Sequence, residues 1–229
     1  RRVLFRSDPA RADAFVEFAN DPRLDAVWFG RGGYGACRIA EAIAPRLTAV
    51  ARKKKYMGYS DAGSLLAMLY KAGFAHLAHG PMASDAVRSD ATAYRALNWF
   101  LRSDPASLEP SLLTDRRPAV AFNLSIIDQL VGTALEPDLT GHVVMLEEVS
   151  EALYRVDRMM FHLTGQASIR RVAGIRLGRV SDVTPNDPDF GQTPEEIARY
   201  WCLRSGVAYL GSADIGHDAQ NKVVPFGER

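Results

Sequence analysis

Short apolar runs alternate along the chain with longer segments whose apolar residues recur at helical spacing. Runs typical of buried strands occupy residues 24–29, 55–57, 74–82, 142–146, 172–178 and 207–210. Patterns typical of helices occupy residues 8–20, 36–44, 65–72, 90–101, 155–163 and 194–204. Such alternation favours an α/β fold in which helices cover the faces of a parallel sheet.

The predicted helices carry recognisable end signals. Asp8 is expected to cap the first helix, and Gly73 is expected to end the helix over residues 65–72. Thr193 and Glu196 have the spacing of a capping box at the start of the helix over residues 194–204. The helix over residues 90–101 is expected to reach the core through Tyr94, Leu97, Trp99, Phe100 and Leu101.

Residues 102–118 are rich in proline, serine, aspartate and arginine, which is typical of a segment between domains. The sequence therefore predicts an amino-terminal α/β domain over residues 1–102, a linker over 103–118 and a carboxy-terminal domain over 119–229. Because the chain begins abruptly with a charged and apolar stretch, the first strands of the amino-terminal sheet are expected upstream of residue 1.

Composition narrows the class of protein. The 229 residues are 47% apolar and 24% charged with a net charge of +1, which is ordinary for a globular protein. This composition offers no case for a nucleic-acid or membrane partner, and the basic run 52–55 is interpreted as a solvated loop. Cys37 and Cys202 lie far apart, so they suggest a reducing compartment without a disulfide framework.

A serine follows the predicted strand over residues 55–57, in the sequence Gly58-Tyr59-Ser60-Asp61, and a helix begins shortly after it. A sharp strand-to-helix turn exposes a serine hydroxyl beside the positive end of a helix, which suits a nucleophile. The alternative is that Ser60 or Asp61 simply caps the helix. The pattern G-x-S-x-G of esterases is matched only in part, because Ala62 occupies the position of its last glycine.

The stretch from Gly30 to Gly35 holds four glycines and follows the strand over residues 24–29. Its spacing does not match the G-x-G-x-x-G pattern of dinucleotide-binding loops, and no lysine–serine pair follows as in a P-loop. Two interpretations remain at this point. The stretch is either a tight turn without a ligand or a turn that offers backbone N–H groups to an oxyanion near Ser60.

Histidines and carboxylates supply further candidates. His76 and His79 are predicted to lie on opposite faces of a strand and to be structural rather than metal ligands. His217 lies in a loop bounded by glycine and is the histidine with the best case for a function. Glu147 and Glu148 follow an apolar strand, where spacing alone cannot separate a capping role from a catalytic one.

Read in chain order, several short motifs resemble those of the LD-carboxypeptidase family, the serine peptidases that include muramoyltetrapeptide carboxypeptidases. The matching segments are 31–35 (R-G-G-Y-G), 58–61 (G-Y-S-D), 80–82 (G-P-M), 146–148 (L-E-E), 154–160 (Y-R-V-D-R-M-M), 216–217 (G-H) and 223–227 (V-V-P-F-G). The resemblance spans nearly the whole chain, and it is the order of the motifs that makes it specific.

The resemblance implies roles for particular residues. Ser60 would be the nucleophile, His217 the general base and Glu147 the carboxylate that orients His217, with an oxyanion hole formed by the backbone N–H groups of Gly33 and Asp61. The implied fold is an amino-terminal, flavodoxin-like parallel-sheet domain and a smaller carboxy-terminal α/β domain with barrel-like strands. The site would lie between the two domains and would need no metal and no cofactor.

The resemblance also implies a substrate. It predicts a cytoplasmic enzyme of peptidoglycan recycling, homodimeric by family analogy, that removes the terminal D-alanine of murein tetrapeptides. Residues expected to bind this peptide are Arg31, Tyr34, Asn123 and Arg155. The alternatives are a self-immunity hydrolase of the same family that acts on peptidyl-nucleotide antibiotics, and a protein whose site no longer catalyses a reaction.

Two positions depart from the family pattern. Phe122 stands in the segment Ala121-Phe122-Asn123-Leu124 where family members usually have G-G-N-L, and it is expected to narrow or reshape the pocket. Ala62 replaces a common aromatic residue, which is expected to change packing only.

Overall fold

The computed structural model describes residues 7–227, and its first half alternates helices with short strands. The elements are α1 (Asp8–Asn20), β1 (Ala26–Trp28), α2 (Ala36–Ile43), α3 (Ala49–Arg52), β2 (Lys55–Gly58), α4 (Gly63–Lys71), β3 (Leu77–His79), α5 (Ala83–Ala86) and α6 (Asp90–Arg102). The predicted alternation of helix and strand is confirmed throughout this half.

The second half repeats the alternation. Its elements are β4 (Ala119–Asn123), α7 (Leu124–Leu130), β5 (Val143–Val149), α8 (Leu153–Gly165), β6 (Gly174–Ser181), α9 (Pro194–Ser205), β7 (Tyr209–Ser212) and β8 (Val224–Pro225). The apolar run predicted as a strand over 142–146 extends three residues further, so Glu147 and Glu148 lie within β5 rather than after it.

The strands form two four-stranded sheets, ordered β1-β2-β3-β8 and β4-β5-β6-β7. All pairs in the second sheet are parallel, as are β1 with β2 and β2 with β3. The predicted α/β fold is therefore confirmed. The exception to parallel pairing is β8, which returns from the end of the chain and pairs antiparallel with β3.

Local sequence accounts for most helix ends. Gly73 adopts a φ of +80° just after α4, a conformation that favours glycine, so the predicted stop is confirmed. The capping box of Thr193 and Glu196 forms at the start of α9. The prediction for α1 was wrong by one residue, because Ser7 is the N-cap and its hydroxyl accepts from Ala10 N–H. Asp8 lies in the first turn and pairs with Arg11 and Arg38.

Of the five residues of α6 predicted to reach the core, Trp99 and Phe100 do so, and the prediction was wrong for the other three. Trp99 is buried, whereas Tyr94, Leu97 and Leu101 are 69%, 46% and 77% exposed. Helical spacing explains the difference, because residues 94, 97 and 101 share one stripe of the helix and Trp99 lies on another.

The segment predicted as a linker is ordered and contacts both sheets. It contains two short 3-10 helices, Pro105–Ser107 and Pro110–Leu113. Leu108 forms a β-bridge with Val223, and the buried carboxylate of Glu109 accepts from Asp214 N–H at 3.2 Å. The proposed domain limits at residues 102 and 119 stay a prediction.

Phe122 lies in the core and is 1% exposed. Its ring packs edge-on against Phe226 with the ring centroids 5.2 Å apart, and it contacts Gly63 at the start of α4. Phe122 therefore joins the two sheets rather than lining an open pocket.

Within residues 7–227, no helix combines the length and the apolar character needed to cross a membrane.

Candidate active site

Ser60 lies where β2 ends and the chain turns into a short 3-10 helix, Ser60–Ala62, that leads into α4. Its φ of +54° is in the left-handed region, which is uncommon for a residue with a side chain. The helix behind it is buried over residues 63–69, so the turn is held firmly from below. A strained, partly exposed serine at a strand-to-helix turn is the arrangement of a nucleophile elbow.

The glycine-rich turn after β1 packs directly on Ser60. A Cβ added at Gly32 would lie 2.9 Å from Ser60 Oγ, so only glycine allows this approach. The carboxylate of Asp61 accepts from Ala36 N–H at 3.0 Å and thereby caps α2. Burial raises the pKa of Asp61, while hydrogen bonds from Ala36 and Gly35 oppose the shift. The two turns are thus joined by a side chain as well as by packing.

The backbone N–H groups proposed for an oxyanion hole lie in these same turns. Asp61 is the second residue of the 3-10 helix, so its N–H is among those without a partner inside the helix. Gly33 adopts a φ of +146° in the turn beside Ser60. Their role as oxyanion donors stays a prediction.

His217 and Glu147 form a close pair. Nδ1 of His217 lies 2.5 Å from Oε2 of Glu147, whose side chain is fully buried at the end of β5. Burial raises the pKa of Glu147, and the hydrogen bond to His217 opposes that shift. Burial lowers the pKa of His217, but the hydrogen bond and the charge of Glu147 outweigh it, so the net shift is upward. A carboxylate that raises the basicity of a histidine prepares it to accept a proton.

Glu148 has a different set of partners. Its carboxylate accepts from Asn123 Nδ2 at 2.7 Å and from the N–H groups of Ser125 and Val149 at 2.8 and 2.9 Å. It therefore supplies acceptors at the start of α7, and the geometry gives different partners to two adjacent glutamates that spacing alone could not distinguish.

Tyr59 connects the Ser60 turn to the His217 loop. Its ring lies against His217 with the centroids 4.7 Å apart, and it contacts His79 at 5.6 Å. With Nδ1 of His217 held by Glu147, the other ring nitrogen is the one left for proton transfer. Among residues 7–227 no hydrogen bond joins the Ser60 hydroxyl to His217, and such contacts often tighten only when substrate binds.

No role was predicted from the sequence for Tyr59 or for Asp85, whose carboxylate hydrogen-bonds to the Tyr59 side chain. Burial raises the pKa of Tyr59, and the charge and hydrogen bond of Asp85 raise it further. Asp85 also accepts from Met82 N–H at 2.9 Å, which fixes the turn after β3. An aromatic residue between the glycine and the serine of the turn was the available signal, since such a side chain must pack beside the nucleophile.

The four residues expected to bind substrate lie in different environments. Arg31 and Tyr34 are exposed on the glycine-rich turn. Arg155 pairs with Glu151 at 2.5 Å on the surface of α8. Asn123 is the N-cap of α7, and its amide is engaged with Glu148, Ser125 and Ile126. Substrate binding by these four stays a prediction.

Metal ligands are a separate question, since clustered carboxylates and histidines often bind ions. Over the described range 7–227, no group of three or more His, Cys, Asp or Glu side chains is arranged to hold a metal ion.

Two models of one family together match most of the chain. The LD-carboxypeptidase N-terminal domain matches residues 1–80, and the LD-carboxypeptidase C-terminal domain matches residues 118–229. This chain belongs to the LD-carboxypeptidase family. Of the residues proposed for catalysis, Ser60 lies in the first matched region, and Glu147 and His217 lie in the second.

Relatives of known name or structure agree with the family. The murein tetrapeptide carboxypeptidase of Pseudomonas aeruginosa is 25% identical over 90% of this chain and 72% of its own length. A muramoyltetrapeptide carboxypeptidase structure from Oxalobacter formigenes superposes with a TM-score of 0.80 at 23% identity, covering 99% of this chain and 81% of that one. MccF in complex with glutamyl sulfamoyl guanosine gives a TM-score of 0.79 at 16% identity, covering 97% and 77%. At these identities the two structures show a shared fold.

Proposed function

We propose that this chain is a serine carboxypeptidase that cleaves the L,D-peptide bond before the terminal D-alanine of murein tetrapeptides. The observation that carries the proposal is the pair formed by buried Glu147 and His217, packed through Tyr59 against the strained turn of Ser60. The name of the Pseudomonas relative supports the choice of substrate.

In this mechanism the Ser60 hydroxyl attacks the carbonyl carbon of the L-centre residue while His217 takes its proton. The carbonyl oxygen becomes an oxyanion and accepts from the N–H groups of Gly33 and Asp61. His217 then returns the proton to the amine of D-alanine, the C–N bond breaks, and an ester on Ser60 remains. Water, deprotonated by His217, hydrolyses that ester and restores the serine.

Glu147 has two tasks in this scheme. Its hydrogen bond to Nδ1 fixes which ring nitrogen of His217 faces the substrate, and its charge stabilises the imidazolium that forms during attack. Its complete burial strengthens both effects, because water does not screen the pair.

Incubation with a murein tetrapeptide, followed by detection of free D-alanine, tests the proposal. The wild-type protein should release D-alanine, and Ser60→Ala should lose at least about 10³-fold in rate. Ser64→Ala, at a buried serine in α4, is a matched control for loss of a hydroxyl. Equal release by wild type and Ser60→Ala would refute the role of Ser60.

A second candidate is hydrolysis of an acyl-sulfamoyl nucleoside, as in a self-immunity hydrolase. The fold likeness to MccF is the observation behind it. Wild-type protein that hydrolyses glutamyl sulfamoyl guanosine and spares the tetrapeptide would favour this candidate. Peptidoglycan recycling, a cytoplasmic location and a homodimeric state stay predictions.

A further inference from the structure

His79 lies at the end of β3, beside Gly58 of β2, and is 1% exposed. Nothing in the mechanism above uses it. Its Nε2 lies 3.3 Å from Oδ1 of Asn221, a side chain that is also 1% exposed. Buried polar side chains are normally hydrogen-bonded, so this contact beside the proposed catalytic site indicates a defined role for both residues.

The oxygen of Asn221 has a second partner. It accepts from Gly216 N–H at 3.2 Å, and Gly216 immediately precedes His217. Because a backbone N–H can only donate, this contact fixes which end of the Asn221 amide points toward Gly216. The same oxygen faces His79, so Nε2 of His79 must also be a donor. The chain of contacts is then His79 Nε2–H to Asn221 Oδ1, with Gly216 N–H donating to the same atom.

His79 suits this task because it stays uncharged. Burial lowers the pKa of His79 to about 3, the bond to Asn221 opposes the shift, and the proximity of His217 adds to it. A neutral imidazole donates a hydrogen bond without placing a positive charge near His217. A permanent cation at this position would disfavour the imidazolium that His217 forms during the reaction.

Other contacts hold the remainder of the loop, but they engage residues further along the chain than the neighbours of His217. On α6, Arg95 Nη1 donates to the carbonyl oxygens of Ala219 and Asn221 at 3.0 and 2.9 Å. Thr92 Oγ1 donates to the carbonyl of Ala219 at 3.1 Å. The Asn221 side chain differs from these because it binds the backbone directly before His217.

Strand β6 also packs closely on the same loop. Arg179 pairs with Asp218 at 2.5 Å and with Asp214 at 2.6 Å. A Cβ added at Gly216 would lie 2.9 Å from Arg179 Nε, so the loop backbone has little room on that side. Loss of the bond to Asn221 would therefore free Gly216 and His217 to shift away from Arg179.

We propose that His79, acting through Asn221, is a positioning residue that holds the backbone of His217 in register with Ser60 and Glu147. The inference rests on the proposed function for the identity of the catalytic groups. The hydrogen bonds that carry it lie between His79, Asn221 and Gly216, none of which touches the substrate in the mechanism above.

The test uses four variants of the protein. His79→Leu and Asn221→Ala each remove the contact, and the double variant removes both partners. His79→Gln is the conservative variant, because its amide can place an N–H close to the position of Nε2. Thr164→Val is the matched control, since Thr164 is also 1% exposed and its hydroxyl donates to Met160 O at 2.8 Å far from this loop.

Three measurements read the position of His217. The first is the rate at which a phosphonate probe modifies Ser60, and the second is kcat and KM for the tetrapeptide. The third is the low-field proton resonance of Nδ1–H in the His217–Glu147 bond, assigned by its absence in His217→Gln. The first and third do not depend on murein as the substrate.

We expect His79→Leu and Asn221→Ala to lose about 10- to 100-fold in kcat and in probe rate, with KM nearly unchanged. The double variant should be no worse than Asn221→Ala alone, because Asn221→Ala already removes both the contact with His79 and the contact with Gly216. His79→Gln should recover most of the rate, and Thr164→Val should keep it. The low-field resonance should shift or broaden in the two single variants and in the double variant, and it should stay unchanged in Thr164→Val.

Additive losses in the double variant, or an unchanged probe rate and resonance in His79→Leu, would overturn the positioning role. Failure of the proposed function is a separate result. Wild-type protein that reacts with the probe and spares the tetrapeptide contradicts the substrate, while the probe rates still decide the role of His79. If the wild type does not react with the probe, the resonance decides it. If His79→Leu does not fold, Asn221→Ala with His79→Gln carries the test.

Discussion

Glu147 and Glu148 are adjacent residues of one buried strand, yet their carboxylates bind different parts of the molecule. Glu147 receives His217, whereas Glu148 receives the Asn123 amide and the first N–H groups of α7. Alternation along a strand produces this separation, because successive side chains point to opposite faces of the sheet. One carboxylate is thereby available for chemistry and the other for the fold.

Glu147→Gln should therefore lower the rate of catalysis, whereas Glu148→Gln should lower the stability of the fold. In Glu147→Gln the rate should fall about 10³-fold or more, because an amide neither orients nor charge-stabilises His217 correctly. In Glu148→Gln a buried N–H group loses its acceptor, so the free energy of unfolding should fall by about 1–3 kcal/mol. Steady-state kinetics and urea unfolding of both variants make the comparison. A large loss of rate in a stable Glu148→Gln protein would contradict it.

Gly32→Ala should abolish most activity without unfolding the protein. The added Cβ would lie 2.9 Å from Ser60 Oγ, so the hydroxyl must move away from its attacking position. A displacement of this size costs on the order of 10²-fold in rate. Gly30→Ala is the matched control from the same turn, because a Cβ there meets no atom within 4 Å. The rate with tetrapeptide and the melting temperature are measured for both, and equal activity of the two variants would contradict the prediction.

The pH dependence of kcat/KM should report the titration of His217. Only the neutral ring can accept the serine proton, so activity should rise with pH through the pKa of His217 and then level off. Glu147 raises that pKa, so the midpoint is expected above the ordinary value of 6.5. In Glu147→Gln the residual activity should show a lower midpoint, because the raising charge is gone. A midpoint that stays unchanged in this variant would argue against the pair.

Acid stability should report the burial of His79. Its folded-state pKa is about 3, while an unfolded histidine titrates near 6.5, so below pH 6.5 the unfolded chain binds the additional proton. The stability held at neutral pH is therefore lost as pH falls, by about 1.4 kcal/mol for each unit until the folded pKa is approached. In His79→Gln, the change in unfolding free energy with pH should be smaller by the contribution of one proton, about 1.4 kcal/mol for each pH unit. His76→Gln, at an exposed histidine of the same segment, is the control, and an identical slope in wild type and His79→Gln would contradict the prediction.

Much of the architecture could be predicted from local pattern. Helix α1 was predicted with its observed limits, and the turns at Gly73 and Thr193 were identified from the residue types that such turns require. The antiparallel return of β8 could not be predicted, because it depends on a partner far away in the sequence. The error for Tyr94 and Leu101 has a similar origin, since helical periodicity defines a stripe but not which stripe a neighbouring element covers.

The residues of the candidate site could likewise be predicted only in part. Motif resemblance selected Ser60, Glu147 and His217, and the structure adds the contact between Glu147 and His217 and the ring of Tyr59 beside them. The contributions of His79 and Asn221 could not be predicted, because their contact joins residues 142 positions apart in the sequence. For Phe122 the prediction was wrong. Its departure from the family pattern was expected to alter the pocket, but its side chain fills the core.

The antiparallel pairing of β3 with β8 has a consequence for synthesis on the ribosome. His79 of β3 is opposite Val224 of β8, so the first sheet acquires its fourth strand only after almost the entire described chain has been translated. The loop of His217 is made just before that strand. Nascent chains can fold their early elements as they emerge, but here the proposed nucleophile Ser60 would lack its proposed base until residue 217 has been translated. The proposed site therefore cannot assemble before the His217 loop has been made, however early the Ser60 turn folds.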